Sequence, residues 1–333
     1  MNELVFFINK GLLAGAIIGS IYALGAIGVT LIFGILRFAH FAHGDMMTLG
    51  AFIAYALAAA LAAAGVTSPL PLAMMVLPLV MLLTAGLAIG LDRTFYRPLR
   101  NAGARGIVLV MASIGVTLML QGVIRLFAGP SSREMYFNER KDIFRFEVPG
   151  ANQMITVTEP QIALFIVTAI SVVALHYFLS RSRLGKAMRA VSDNPSLAQV
   201  TGISIETVVR ATWIIGGGLA ALAGTMLAMD VSLKPDLSFN ILLPIFAATI
   251  VGGIGQPYGA IAGGMLVGFT ETLSVFNWAI LLRPLKPYLP DFIELPSKLA
   301  FVPTEYKIVV PFFILIAVLI WRPTGIFRGR LLT

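Results

Sequence analysis

The chain contains no cysteine and only three histidines, His40, His43 and His176, in 333 residues. The first absence excludes a disulfide framework and a thiolate metal site, and with so few soft ligands redox chemistry is not expected. Charge is equally scarce: Asp, Glu, Lys and Arg together make up 12%, against about 25% in soluble domains. Hydrophobic residues reach 58% and mean hydropathy is +0.90, a core that no water-soluble fold of this length could cover. No Gly-x-x-x-x-Gly-Lys-Ser/Thr phosphate cradle occurs. Gly185-Lys186 lacks both the upstream glycine and the following hydroxyl, so ATP hydrolysis by that route is excluded for this chain. Met1 to Lys10 lacks the charged n-region and small-residue cleavage site of a signal peptide, and is read as part of a retained first span.

What is present is a series of apolar stretches near the 20 residues that cross a hydrocarbon core of about 30 Å. Nine are expected, near 11–35, 45–64, 70–91, 106–128, 160–180, 208–229, 240–254, 257–278 and 306–321. The fold class is therefore all-α, a polytopic transmembrane bundle of eight or nine spans forming a single domain over 1–333. The seventh stretch is short, and Gly252-Gly253-Ile254-Gly255-Gln256-Pro257 after it breaks a helix. Interrupted helices are tolerated where protein or a wet cavity surrounds the freed backbone, so this corner is either a re-entrant pair or two spans facing the bundle interior.

Orientation follows from lysine and arginine. Connection 92–105 carries Arg93, Arg97, Arg100 and Arg105, segment 181–207 carries Arg181, Arg183, Lys186 and Arg189, and the tail carries Arg322, Arg328 and Arg330. By the positive-inside rule these face the cytoplasm. Connections 129–159 and 279–305, the latter with Pro284, Pro287, Pro290, Pro296 and Pro303, balance or lack such an excess and are expected on the periplasmic side. The amino terminus is then outside and the carboxyl terminus inside. A net charge of +8 thus calls for no nucleic acid, since the excess lies beside anionic lipid or a cytoplasmic protein.

Polar groups inside such a chain need an explanation, because a charge in hydrocarbon costs several kcal/mol unless paired or hydrated. Arg37, His40, His43 and Asp45 stand at a membrane boundary. Two imidazoles at i, i+3 can share a helical face, but two ligands do not make a metal site. The plainer reading is that His43, Gly44 and Asp45 start the second span, with Asp45 at the positive end of its dipole. Glu271 lies inside the eighth span with no cation at helical spacing, serving either packing between helices or a pathway. Ser113, Thr117 and Gln121 repeat at i, i+4, i+8 and form one polar face, which either lines a path or joins two helices.

Glycines recur every four residues at Gly11, Gly15, Gly19 and at Gly255, Gly259, Gly263, with Gly86/Gly90 and Gly264/Gly268 as further pairs. Such stripes allow close helix packing, within one subunit or against a second. In segment 181–207, Leu184, Ala187, Met188 and Val191 have helical spacing. Asp193-Asn194-Pro195 ends that helix and caps another, Ser196 to Val200, which Gly202 terminates. This helix-turn-helix is either an interfacial element on lipid or a lever for a cytoplasmic partner.

Five stretches in order carry a resemblance: Gly-Ser-Ile-Tyr-Ala-Leu-Gly-Ala-Ile-Gly (19–28), Phe-Ala-His-Gly-Asp (41–45), Gly-Lys-Ala-Met-Arg-Ala-Val-Ser-Asp-Asn-Pro (185–195), Gly-Gly-Ile-Gly-Gln-Pro-Tyr-Gly-Ala-Ile-Ala-Gly-Gly (252–264) and Trp-Arg-Pro-Thr-Gly-Ile-Phe (321–327). Along nearly its whole length the chain resembles the membrane permease subunits of bacterial branched-chain amino acid ABC importers. The duplicated Phe38-Ala39-His40-Phe41-Ala42-His43 and the long 279–305 connection depart from that family.

The resemblance implies that segment 185–204 holds the coupling helix seated in an ATPase subunit, with Gly185, Arg189, Asp193, Pro195, Leu197 and Gly202 the residues of interest. It implies an inner-membrane, multi-pass protein that is not itself an enzyme. Its partners would be a second permease subunit, two cytoplasmic ATPase subunits that bind the ATP and Mg, and a periplasmic solute-binding protein. The cargo would be an aliphatic amino acid, for which Ser20, Tyr22 and Thr30 offer polar contacts along the first span, with Glu271 and the Ser113, Thr117, Gln121 face as further candidates. The alternatives are a permease for urea or short amides, or a secondary transporter working without a nucleotide-hydrolysing partner.

Overall fold

The computed structural model describes residues 1–137, 140–282, 284 and 299–327. Most of the proline-rich 279–305 connection, and the tail residues Arg328 and Arg330, lie outside the described residues. Within them the chain is a helical bundle: α1 (Asn2–Leu36), α2 (His43–Ala63), α3 (Leu77–Asn101), α4 (Gly106–Ala128), α5 (Glu159–Arg181), the short α6 (Arg183–Asp193) and α7 (Pro195–Val200), α8 (Ile205–Asp230), α9 (Phe239–Gly252), α10 (Pro257–Val275) and α11 (Val309–Trp321). Among the described residues six of these, α1 to α5 and α8, are long and apolar enough to cross a membrane by length and composition. Two others, α9 and α11, are apolar but shorter.

The helix positions follow the apolar stretches, with informative differences at their ends. The first helix begins at Asn2 and not near residue 11, carrying Asn9 and Lys10 through a π-helical turn, Ile8–Leu13. It ends at Arg37, whose left-handed backbone (φ 57°) stops the helix without a glycine. The third expected span divides into a single turn, Leu72–Met75, and α3 with Pro78 in its first turn. That helix continues through a second π-helical turn, Asp92–Tyr96. A proline fits a first turn because its missing N–H has no intrahelical partner there.

One element has no counterpart in the sequence reading. Inside connection 129–159, β1 (Ile143–Phe146) and β2 (Ile155–Thr158) pair antiparallel, Ile143 opposite Thr158 and Phe146 opposite Ile155. The all-α bundle thus carries a small hairpin. It ties the amino terminus down: the Asn9 side chain donates to the Met154 carbonyl (2.9 Å) and accepts from the Thr156 N–H (3.1 Å).

The centre of the bundle is α1 and α8. The first packs on α10, α8 and α9, and α8 packs on α2 and α3. Glycine sets how close they come. A Cβ at Gly264 would meet the Ala23 backbone, one at Gly224 would meet the Met47 carbonyl, and one at Gly15 would press on Phe269 at 2.7 Å. The Gly11, Gly15, Gly19 and Gly264/Gly268 stripes are therefore packing seams within this chain. Gly259 and Gly263 face Gly252 and Ala248, closing α9 onto α10 around a turn in which Gly253 (φ 113°) and Gly255 (φ 79°) hold conformations open to glycine. Gly86 and Gly90 instead face open space.

The basic connections gather at one end. Arg97 pairs with Glu206 at 2.8 Å, and Gly34 lies close to Gly255 and Ser192. The tail closes the same end, Ile326 N–H donating to the Val251 carbonyl at 2.9 Å. The hairpin occupies the opposite end. Around the flanks of α3, α4 and α5, Leu82, Met111, Leu118, Phe127, Ile170 and Val173 are exposed. An apolar belt of that extent is a lipid-facing or partner-facing surface.

Candidate functional site

Toward the hairpin end, Glu271 of α10 is buried between helices. Its carboxylate accepts from the Tyr22 hydroxyl of α1 at 2.8 Å and pairs with Lys307 Nζ at 3.1 Å. Within its own span Glu271 has no cation at helical spacing. The partner comes instead from the short turn before α11. Lys307 and Glu271 line one side of a cavity of about 340 Å³, with Tyr22 and Asn240; Ile18, Ile21 and Ile241 supply its apolar wall. Pro244 sits inside α9 one turn beyond Asn240, removing a helical N–H and opening the backbone beside the cavity. A buried ion pair is weak evidence for stability, since desolvation offsets most of the attraction. Removing one partner from such a pair costs about 3–5 kcal/mol, because the other is left uncompensated.

Toward the basic end, the segment between α1 and α2 is buried. His40 lies edge-on to Trp213 of α8 and to Tyr96 of α3, whose hydroxyl is 3.0 Å from its Nε2. Tyr96 and Trp213 stack at 10°. Burial first, and the neighbouring His43 imidazole second, hold His40 well below the ordinary histidine pKa, so the ring is neutral in the folded protein. His43, Gly44 and Asp45 open α2 and are all buried, Asp45 within its first turn. Among the described residues no group of three His, Asp or Glu is placed to hold a metal ion.

The polar face of α4 is directed at this segment. Ser113 Oγ accepts from the Phe41 N–H at 3.2 Å, and Thr117 and Gln121 lie on the Asp45 side of α4, although neither oxygen of the buried Asp45 carboxylate makes a hydrogen bond among the described residues. Arg125 donates to Gln121 at 3.3 Å. Through Ser113, which also donates to the Ala39 carbonyl at 3.3 Å, this face of α4 is tied to the segment that leads into α2. The first-span candidates separate: Tyr22 reaches Glu271, whereas Thr30, about 12 Å further along the helix, accepts from the Gly255 N–H at 3.0 Å. Ser20 is buried within α1. They do not form one site.

The α6–α7 element is a wedge with defined corners. Ser182 caps α6, accepting from the Gly185 N–H at 2.8 Å. Asn194 ends α6 and caps α7, accepting from the Leu197 N–H at 3.1 Å, with Pro195 in the first turn. Gly202 (φ 86°) turns the chain into α8. A Cβ at Gly185 would run into the Phe178 carbonyl, so glycine is what lets α6 fold back on the end of α5. Met188, Val191 and Ala198 point inward, while Leu197 (62% exposed) and Val200 (85%) project outward. Between the wedge and the glycine turn lies a cavity of about 280 Å³ lined by Arg189, Ser192, Asp193, Thr30, Gly255 and Gln256.

Residues 11–319 match the family described as branched-chain amino acid transport system, permease component. The chain belongs to this family. It is 30% identical over 331 residues to the high-affinity branched-chain amino acid transport system permease protein LivH of Escherichia coli K12, covering 98% of this chain and 97% of that one. It is 31% identical over 328 residues to the corresponding BraD of Pseudomonas aeruginosa, with the same coverage. A probable LivH of Methanocaldococcus jannaschii is 30% identical over 276 residues, 81% of this chain and 82% of the relative. The ribose import permease RbsC of Escherichia coli matches at 26% over 166 residues, about half of each chain. No solved structure gives a significant match. Lys307, Asn240, Tyr96, Trp213 and Arg125 were not singled out from sequence. Of these, Lys307 had a signal as a cation at the edge of the last apolar stretch, and Arg125 as a charge inside the fourth, four residues beyond Gln121.

Proposed function

We propose that this chain is a membrane-spanning permease subunit of an ABC importer for branched-chain, aliphatic amino acids. It lies in the inner membrane with its amino terminus outside and its carboxyl terminus in the cytoplasm. α9 and α10 complete the bundle as a tightly packed pair; at 14 residues α9 spans about 21 Å, less than a full hydrocarbon core. A second permease subunit, two ATPase subunits that hold ATP and Mg, and a periplasmic solute-binding protein complete the machine. The chain itself contributes geometry and no bond chemistry.

The observation that carries this reading is the α6–α7 wedge in a chain of this family. Its inward side is packed on α5 and α8, and its outward side offers Leu197 and Val200 as an apolar tip. Gly185, Arg189, Asp193, Pro195, Leu197 and Gly202 define its corners and faces, and a soluble subunit with an apolar groove would take that tip. When the ATPase pair closes, the wedge moves with it. Through Ser192 and Gly255, which both approach Gly34, that movement reaches the end of α1 and the α9–α10 turn, and so the bundle core. The cavity opening shifts between the two sides without any group in this chain reacting.

Replacing Asp193 and Leu197 together, as Asp193→Asn with Leu197→Glu, tests the assignment in the reconstituted transporter. The expected result is normal membrane insertion with ATP hydrolysis no longer driving leucine uptake. Unchanged uptake contradicts the docking role. A secondary transporter is distinguished by uptake that persists after ATP depletion with the ion gradient held.

A further inference from the structure

The Glu271–Lys307 pair stands where an apolar packing contact would serve stability as well. Glu271 is anchored from the side by the Tyr22 hydroxyl and is almost entirely buried, whereas Lys307 approaches from the exposed turn that leads into α11. The two charges therefore differ in mobility: one is fixed in the bundle, the other is carried by a short surface segment. They share the wall of a cavity whose volume falls within the about 300–1,000 Å³ of small-molecule sites, with an amide, Asn240, at the same end and aliphatic side chains of α1 and α9 beyond.

We propose that this cavity is a station for the head group of a zwitterionic amino acid, which enters by splitting the Glu271–Lys307 pair. The α-ammonium takes the place of Lys307 at the Glu271 carboxylate and Tyr22 hydroxyl, and the α-carboxylate turns to Lys307. The aliphatic side chain lies against Ile18, Ile21 and Ile241. One internal ion pair is exchanged for two, so the charges stay compensated both empty and filled. That condition makes a buried charge tolerable in hydrocarbon. Among the described residues lining the cavity, Glu305 is a second negative group and Lys307 the one cation, so a bare carboxylate is repelled. Urea and short amides carry no charge with which to part the pair, so the Glu271–Lys307 bridge stays closed to them, a discrimination by charge and not by size. The inference rests on the permease reading and names the station and its discriminating groups within it.

Because the chain has no cysteine, Asn240→Cys places a single thiol of this chain at the cavity wall. In the complete transporter reconstituted in lipid, the rate of maleimide alkylation at position 240 is read by mass spectrometry of this subunit. Leucine, at a concentration that saturates uptake, is expected to slow alkylation about tenfold, which corresponds to about 1.4 kcal/mol of occupancy free energy. Leucinamide, 4-methylpentanoate and urea should leave it unchanged. Equal rates with and without leucine, or equal protection by urea, overturn the proposal. The reversed pair, Glu271→Lys with Lys307→Glu in the Asn240→Cys background, keeps a salt bridge but turns the site around. Loss of protection in an assembled complex supports a binding role, and retained protection reduces the pair to a structural latch. If the reversed pair does not assemble, the otherwise unaltered Asn240→Cys result decides alone. Failure of the permease reading has a different signature, namely no ATP-dependent leucine uptake by the unmodified transporter.

Discussion

Helices α1 and α5 are almost equally hydrophobic, yet most of α1 is buried within the chain and little of α5 is. What separates them is residue size along the helix. Glycine at 11, 15, 19, 25 and 28 lets α1 accept neighbours on several sides, whereas α5 has no glycine and presents Ile166, Ile170 and Val173 outward. In lipid the apolar side chain gains little by choosing protein over hydrocarbon, so close van der Waals packing decides which helix becomes central. Hydropathy says that a helix crosses; small residues that meet another backbone say where it sits.

That comparison can be broken most directly at the crossing points. Gly224→Leu, which drives a side chain into the Met47 carbonyl, is expected to destabilise by about 3 kcal/mol or more and to abolish monodisperse protein. Gly115→Leu on α4, where a Cβ meets open space, should leave the yield of this subunit unchanged. If Gly115→Leu nonetheless prevents assembly of the transporter, that face of α4 meets another subunit. Next in size is Lys307→Met, which leaves the Glu271 carboxylate buried beside Tyr22 and should lower stability by about 3 kcal/mol, measured by thermal unfolding in detergent. A neutral result would show the pair to be hydrated.

Gly185→Ala sharpens the contrast between core and wedge. The added methyl group meets the Phe178 carbonyl and should tilt α6, at a cost of about 1–3 kcal/mol, reducing uptake per ATP hydrolysed more than it reduces insertion. The smallest effect is expected at His40, packed between α3 and α8. A histidine whose folded pKa is depressed binds more protons unfolded than folded. Its contribution is present above the ordinary value of 6.5 and is lost as pH falls below it. Thermal stability should therefore drop on acidification through about pH 6 less in His40→Gln than in the unmodified chain.

The helix positions, the helix-turn-helix and its caps were readable because each is local: a run of apolar residues, or Asn194-Pro195 followed by Gly202; of the nine stretches read as spans, six form helices long enough to cross among the described residues. The glycine seams were readable as seams, but Gly86/Gly90 and Gly264/Gly268 look alike in sequence and only the latter packs, since a stripe does not name its partner. The Glu271 site was half visible. Its carboxylate was conspicuous, while Tyr22 and Lys307 come from other elements and are joined to it by tertiary contact alone. The hairpin was hidden because its four-residue strands, Ile143–Phe146 and Ile155–Thr158, lie within a charged connection. The polar face of α4 was seen, and its direction was set by Asp45 and Phe41 across the bundle.

The central claim is that this chain is a passive shell moved by a separate motor through α6 and α7. Leucine uptake into proteoliposomes, compared for this permease with the proposed ATPase and binding-protein partners and for the same permease without the ATPase subunits, tests it most directly. The account predicts ATP-dependent accumulation with the partners and none in their absence; accumulation or conduction of leucine by the subunit without them would contradict it.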